Sequence, residues 1–61
     1  MNKYAVYFGV KEVIFVTADD FVLHGSQQGI QRLTFFIKEA DIIKNIAVFN
    51  WNKIFGFEQI E

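Results

Sequence analysis

Between Arg32 and Lys38 the chain alternates, with Leu33, Phe35 and Ile37 in one phase and Arg32, Thr34, Phe36 and Lys38 in the other. A period of two marks a strand with one face on a core and the other in water. Phe36 breaks the pattern because it falls in the polar phase between Thr34 and Lys38, which makes it a candidate for aromatic surface outside the core. Upstream, Tyr4–Phe8 is a β-branched and aromatic run that stops at Gly9, and Val13–Ala18 is a second such run after Lys11-Glu12. Two runs separated by a short glycine-containing segment predict a hairpin. Asp19-Asp20 interrupts, Phe21–His24 reads as a short third strand, and Gly25–Gly29 reads as a small, polar loop with glycine at both ends.

After Glu39-Ala40-Asp41 the pattern admits two readings. Helical spacing aligns Ile42, Ile46 and Phe49 behind Asp41 as N-cap, whereas the density of β-branched and aromatic residues from Ile42 to Phe57 favours strand. The asparagine-rich segment Asn50–Lys53 predicts a turn, and Ile54–Ile60 the last strand. Together these elements predict an all-β chain: a single domain over residues 1–61, built as an antiparallel meander of about six strands, barrel-like or folded as a two-layer sheet. Alternation assigns Leu33, Phe35, Ile37, Val48, Phe15 and Phe8 to its core.

Composition changes this picture in one respect. Eight Phe, two Tyr and one Trp in 61 residues are more aromatic surface than so short a chain hides comfortably, since a domain of this size buries only about 60% of the surface its unfolded chain exposes. Small domains commonly gain stability from disulfides, metals or self-association. With no cysteine and one histidine, His24, self-association is the route left open, and a homo-oligomer is expected. The side chains without an evident place in the core are Tyr7, Phe36, Trp51 and Phe57, which are the candidate interface residues. Trp51, between Asn50 and Asn52, either tucks over the end of the core or stands out as an interface anchor, because tryptophan and tyrosine are enriched where binding energy concentrates.

Six basic and seven acidic residues give a formal charge of −1, with the bases spread along the chain. That balance disfavours sequence-independent nucleic-acid binding, which draws on neutralised phosphates. Folding can still gather Arg32, Phe36, Lys38 and Tyr7 into a platform on which single-stranded bases stack, as in small barrels of the OB or SH3-like kind. No stretch reads as a signal peptide or membrane span, because the longest strongly apolar run, Ile46–Trp51, is far below the roughly 20 residues a bilayer requires. The absence of cysteine agrees with a reducing compartment, and a soluble protein of the cytoplasm is expected.

Strand patterns supply a resemblance. Leu33–Lys38 (LTFFIK), Ile46–Trp51 (IAVFNW), Ile54–Glu58 (IFGFE) and Val16–Asp19 (VTAD) resemble segments of very short accessory proteins encoded by phages and prophages of Gram-positive bacteria. The resemblance covers nearly the whole chain, departing from it in a longer Gly25–Gly29 loop and in Ala40–Ile43. It implies an accessory protein that works in the host cell by binding, docking on and modulating a host protein, which includes the possibility of a defence component; it implies no particular functional residue.

Chemistry-bearing constellations are few. His24 and Ser26 lie two residues apart beside a loop, where Asp19 or Asp20 can supply an orienting acid, but nothing reads as an oxyanion hole, and a strand-end histidine beside glycine is ordinary. Adjacent carboxylates on an extended chain point to opposite faces, so Asp19 and Asp20 are better suited to bonding turn amides than to sharing a cation. No catalytic residue, metal site or cofactor is expected. Besides docking on a host protein and binding nucleic acid, a third reading is a sponge that holds a nucleotide-like ligand between subunits, stacked on aromatics.

Overall fold

The periodicities translate directly into strands. In a computed structural model, which describes all 61 residues, β1 runs Asn2–Tyr7, β2 Val13–Ala18, β3 Asp20–Ser26, β4 Gly29–Glu39, β5 Ile42–Asn50 and β6 Gly56–Gln59, with one 3-10 turn at Trp51–Lys53 between β5 and β6. They form two three-stranded antiparallel sheets, ordered β2-β1-β6 and β3-β4-β5. The architecture is therefore a two-layer sheet and not a closed barrel. It is a meander only in part, because β6 returns to pair with β1.

Ile42–Asn50 is a strand, so the helical reading of that segment is set aside. Its β-branched residues gain cross-strand neighbours on β4 that a three-residue apolar spacing on an isolated helix would not supply. The expected Gly25–Gly29 loop is shorter than its composition suggests. Gly25 and Ser26 still belong to β3 and Gly29 opens β4, leaving Gln27-Gln28 as a two-residue turn. The Ser26 hydroxyl accepts from the Gln28 N–H at 3.2 Å, and Gly29 takes φ +117, a region that L side chains rarely adopt. A β-bulge at His24/Gly25 brings Gly25 so close to the opposite strand that an added Cβ would sit 2.7 Å from the Gly29 carbonyl oxygen. Between β4 and β5 the turn is Ala40-Asp41, with Ala40 in the left-handed region at φ 54.

Asp19 joins the two sheets. It is the only residue between β2 and β3, so the two strands form one bent path that leaves the first sheet and enters the second. Its N–H donates to the Phe36 carbonyl at 2.9 Å, its Oδ2 accepts from the Lys38 N–H at 2.6 Å, and its carbonyl accepts from the Asn2 side-chain amide at 3.0 Å. One residue thus fastens the corner to β4 on one side and to β1 on the other.

Between the sheets, Tyr4, Val6, Val16 and Ala18 of the first meet Leu33 and Phe35 of the second, with Phe8, Phe21, Ala47, Phe49, Trp51, Ile54 and Phe57 packed around them. Phe35 is the hub: its ring lies 4.9 Å from Tyr4, 6.0 Å from Phe49 and 6.1 Å from Phe57, mostly in tilted or edge-to-face geometry. Leu33 and Phe35 are buried as alternation predicts, Phe8 packs on the core beside Phe49, and Ile37 is half-buried. Phe15 and Val48, assigned to the core from sequence, are instead 57% and 54% exposed. Register explains both: Phe15 stands opposite Ala5 and Val48 opposite Thr34, on the outward faces of their sheets.

Candidate docking surface

Outward-facing positions of the first sheet are read from its register. Lys3 pairs with Thr17, Ala5 with Phe15 and Tyr7 with Val13, while on the other side Ala5 pairs with Glu58 and Tyr7 with Gly56. Directly opposed residues project to the same face, so Tyr7, Val13 and Phe15 form an aromatic and aliphatic patch with Lys3 and Glu58 at its margins. Ala5, the smallest side chain in the middle of that face, is almost fully buried beneath its larger neighbours. The charged residues at the rim hold the aromatics in place. Lys3 Nζ lies 5.3 Å from the Phe15 ring centroid, and the Tyr7 hydroxyl donates to Glu58 Oε1 at 2.6 Å. That hydrogen bond requires the phenol proton, and together with desolvation and the neighbouring carboxylate charge it raises the Tyr7 pKa above its ordinary value.

The second sheet presents a different face. Val22, Thr34 and Val48 form a row across its three strands, so that Thr34 is buried by two flanking valines even though it points away from the core. On the same face of β4 lie Arg32, Phe36 and Lys38, with Lys38 Nζ 5.9 Å from the Phe36 ring centroid. Asp20 stands directly opposite Phe36.

The four candidate interface residues therefore do not share one surface. Tyr7 is on the outer face of the first sheet and Phe36 on the outer face of the second. Trp51 and Phe57 come together, edge to face at 6.1 Å, and both rest half-buried against the core, where they close one end of the space between the sheets. Trp51 is positioned by the 3-10 turn, whose N-cap Asn50 accepts from the Asn52 N–H at 3.1 Å through Oδ1. The residue missed from sequence is Phe15. In Val13–Ala18 both phases are apolar, so alternation alone leaves the facing ambiguous, but Thr17 in the phase of Phe15 and Val13 was the available clue to the solvated side.

Elsewhere the polar clusters have structural partners. The Ser26 hydroxyl serves the turn, no hydrogen bond links it to His24, and both are exposed. Asp20 Oδ1 accepts from the Phe21 N–H at 2.8 Å and Asp19 holds the corner, so both carboxylates bond backbone amides. No helix is long and apolar enough to cross a membrane. The molecule is thin, 36 × 30 × 14 Å, and without a pocket; it offers faces and strand edges. Comparison with family models, with curated proteins and with solved structures finds no match to this chain.

Proposed function

We propose that this chain is a small phage-type accessory protein of the host cytoplasm that acts by binding, as a homo-oligomer, and modulates a host protein on which it docks. The reading is carried by the Tyr7–Val13–Phe15 patch: two aromatic side chains and a valine on one sheet face, rimmed by one base and one acid, the composition in which interface energy concentrates. Trp51 and Phe57 contribute through their exposed edges at the end of the core, and Phe36 through the opposite face. A defence component is among the host proteins such a face can occupy. The experiment is quantitative capture from host lysate with wild type and Phe15→Lys. Loss of one defined partner with Phe15→Lys, whose circular dichroism stays that of the wild type, supports the reading. Equal capture by both proteins contradicts it.

A second reading, a nucleic-acid-binding small β protein, is favoured by one observation: Arg32, Phe36 and Lys38 line up on one face of β4. Tyr7, which belongs to the other sheet, is not part of that line. Retention on single-stranded DNA at low salt that falls steeply as salt rises supports it, and no retention at low salt removes it.

A further inference from the structure

The single chain leaves more surface and fewer hydrogen bonds than its size calls for. Its accessible area is 4583 Å², where a compact monomer of 7.1 kDa exposes about 4,100 Å². Its Cα radius of gyration, 12.0 Å, exceeds the roughly 10.5 Å of a compact chain of this length. It makes 36 backbone and eight side-chain hydrogen bonds, against about one per residue in a folded domain. Exposed apolar area and main chain without an intramolecular partner are both what open strand edges leave.

Of the strands at the sheet edges, β5 is the one built to be paired. Its nine residues contain no Gly, Pro or acid and a single charge, Lys44. β6 has four residues and carries Glu58, β2 runs into the corner at Asp19, and β3 contains an acid, Asp20, and a glycine, Gly25; β3 and β5 each carry one register shift. The apolar side chains of β5 are also exposed on both faces of the sheet. Ile43 at 62% and Val48 stand opposite Lys38 and Thr34 on the outer face, Ile42 at 68% stands opposite Glu39 on the other, and Ile46 occupies the register shift between them. A partner lying on one face cannot cover both sets. A strand added at the edge supplies cross-strand neighbours to both at once, together with the missing main-chain partners.

We infer that β5 pairs antiparallel with β5 of a second copy, joining the two β3-β4-β5 sheets into one six-stranded sheet; this deepens the homo-oligomer part of the proposed function. A second copy fits because a two-fold axis makes the contact self-complementary and closed. With the axis between Asn45 and Ile46, Ile43 faces Val48 on the outer face and Lys44 faces Ala47 on the other, so that opposed residues share a face, and the two ammonium groups stay about 10 Å apart, beyond the screening length of about 8 Å at physiological salt. The acid at one end, Asp41, approaches the other copy's Trp51–Lys53 turn, which carries the base. The surplus surface of two chains comes to roughly 1,000 Å², the size of the smallest specific interfaces. Growth stops at two copies because the outer edge of the joined sheet is then β3, which begins at the corner and carries Asp20 and Gly25.

Sedimentation velocity over roughly 1–500 μM, where an interface of this size associates, tests it on wild type, Ile46→Lys, Ile43→Lys and Phe15→Lys, each checked for an unchanged circular dichroism spectrum. The wild type and Phe15→Lys are expected to dimerise with the same constant, and each β5 variant to weaken the dimer at least about tenfold by placing ammonium groups against the paired edge. A wild type that stays monomeric throughout, or a dimer that survives both β5 substitutions, overturns the inference. Partner capture separates this from the docking reading. Phe15→Lys is expected to lose the host protein and keep the dimer, whereas loss of the dimer alone in that variant places self-association on β2 and contradicts the β5 pairing.

Discussion

The central strands and the edge strands have similar residues and opposite fates. Tyr4–Val6 in β1 and Leu33–Phe35 in β4 are buried on both faces, including Ala5 and Thr34, which point away from the core. In β2 and β5, Val13–Phe15 and Ile42-Ile43 are at least as apolar and stay exposed. The difference lies in position and not in composition. A central strand has neighbours on both sides whose side chains lean over its own, while an edge strand has them on one side only. On the outward faces of so thin a molecule burial is therefore set by the order of strands, while Val16 and Ala18 of the edge strand β2 are buried because they face the other sheet, and the apolar residues left exposed at the edges are available to other molecules.

The comparison breaks most visibly at Phe35. Truncating the hub of the aromatic cluster, Phe35→Ala, is expected to cost about 3–5 kcal/mol, enough to unfold much of a chain this small, measured as loss of the cooperative urea transition. Next comes the corner that holds the two regions together. Asp19→Ala removes the hydrogen bond that its carboxylate accepts from the Lys38 N–H and keeps the two made by its backbone, and because the site is half-buried the expected loss is about 1–2 kcal/mol. Gly25→Ala should fall in a similar range, about 1–3 kcal/mol, because the added methyl meets the Gly29 carbonyl, a backbone atom that cannot swing aside. Both are read from the urea midpoint at constant m-value.

Edge substitutions sharpen the contrast from the other side. Phe15→Ser and Ile43→Ser are each expected to change the stability of the isolated chain by no more than about 0.5 kcal/mol, measured at low concentration, although each removes a larger exposed side chain than many core positions hold. The smallest effect concerns Tyr7. Its folded pKa is raised, so the hydrogen bond to Glu58 stabilises the fold below the ordinary tyrosine value of 10.0 and is lost as pH rises through the higher folded value. Tyr7→Phe should abolish that alkaline dependence, seen by comparing melting temperatures of the two proteins across the alkaline range.

Much of the architecture could be read from the chain. Arg32–Lys38 alternates cleanly because β4 is central and its phases differ in polarity, and that alone located Leu33 and Phe35 in the core and Phe36 outside it. The turns were legible as turns. Their lengths were not, because Gly25 is required by a close approach to the opposite strand and not by a loop, and nothing local in the sequence reveals an approach across β3 and β4. The edges were the least legible. Where both phases are apolar, as in Val13–Ala18 and Ile42–Phe49, facing depends on register with a neighbour, and so Phe15 and Val48 were assigned to the wrong side. Trp51 and Phe57 illustrate the reverse: they lack an alternating context, yet the return of β6 to β1 brings them together at the end of the core.

Hydrogen–deuterium exchange of the β5 amides as a function of protein concentration tests most directly whether the exposed edge is covered by a second copy. Protection in Ile42–Asn50 should rise with concentration, while β1 and β4 remain strongly protected and β2 unchanged throughout. Protection in β5 that does not vary with concentration, or a rise confined to β2, would contradict it.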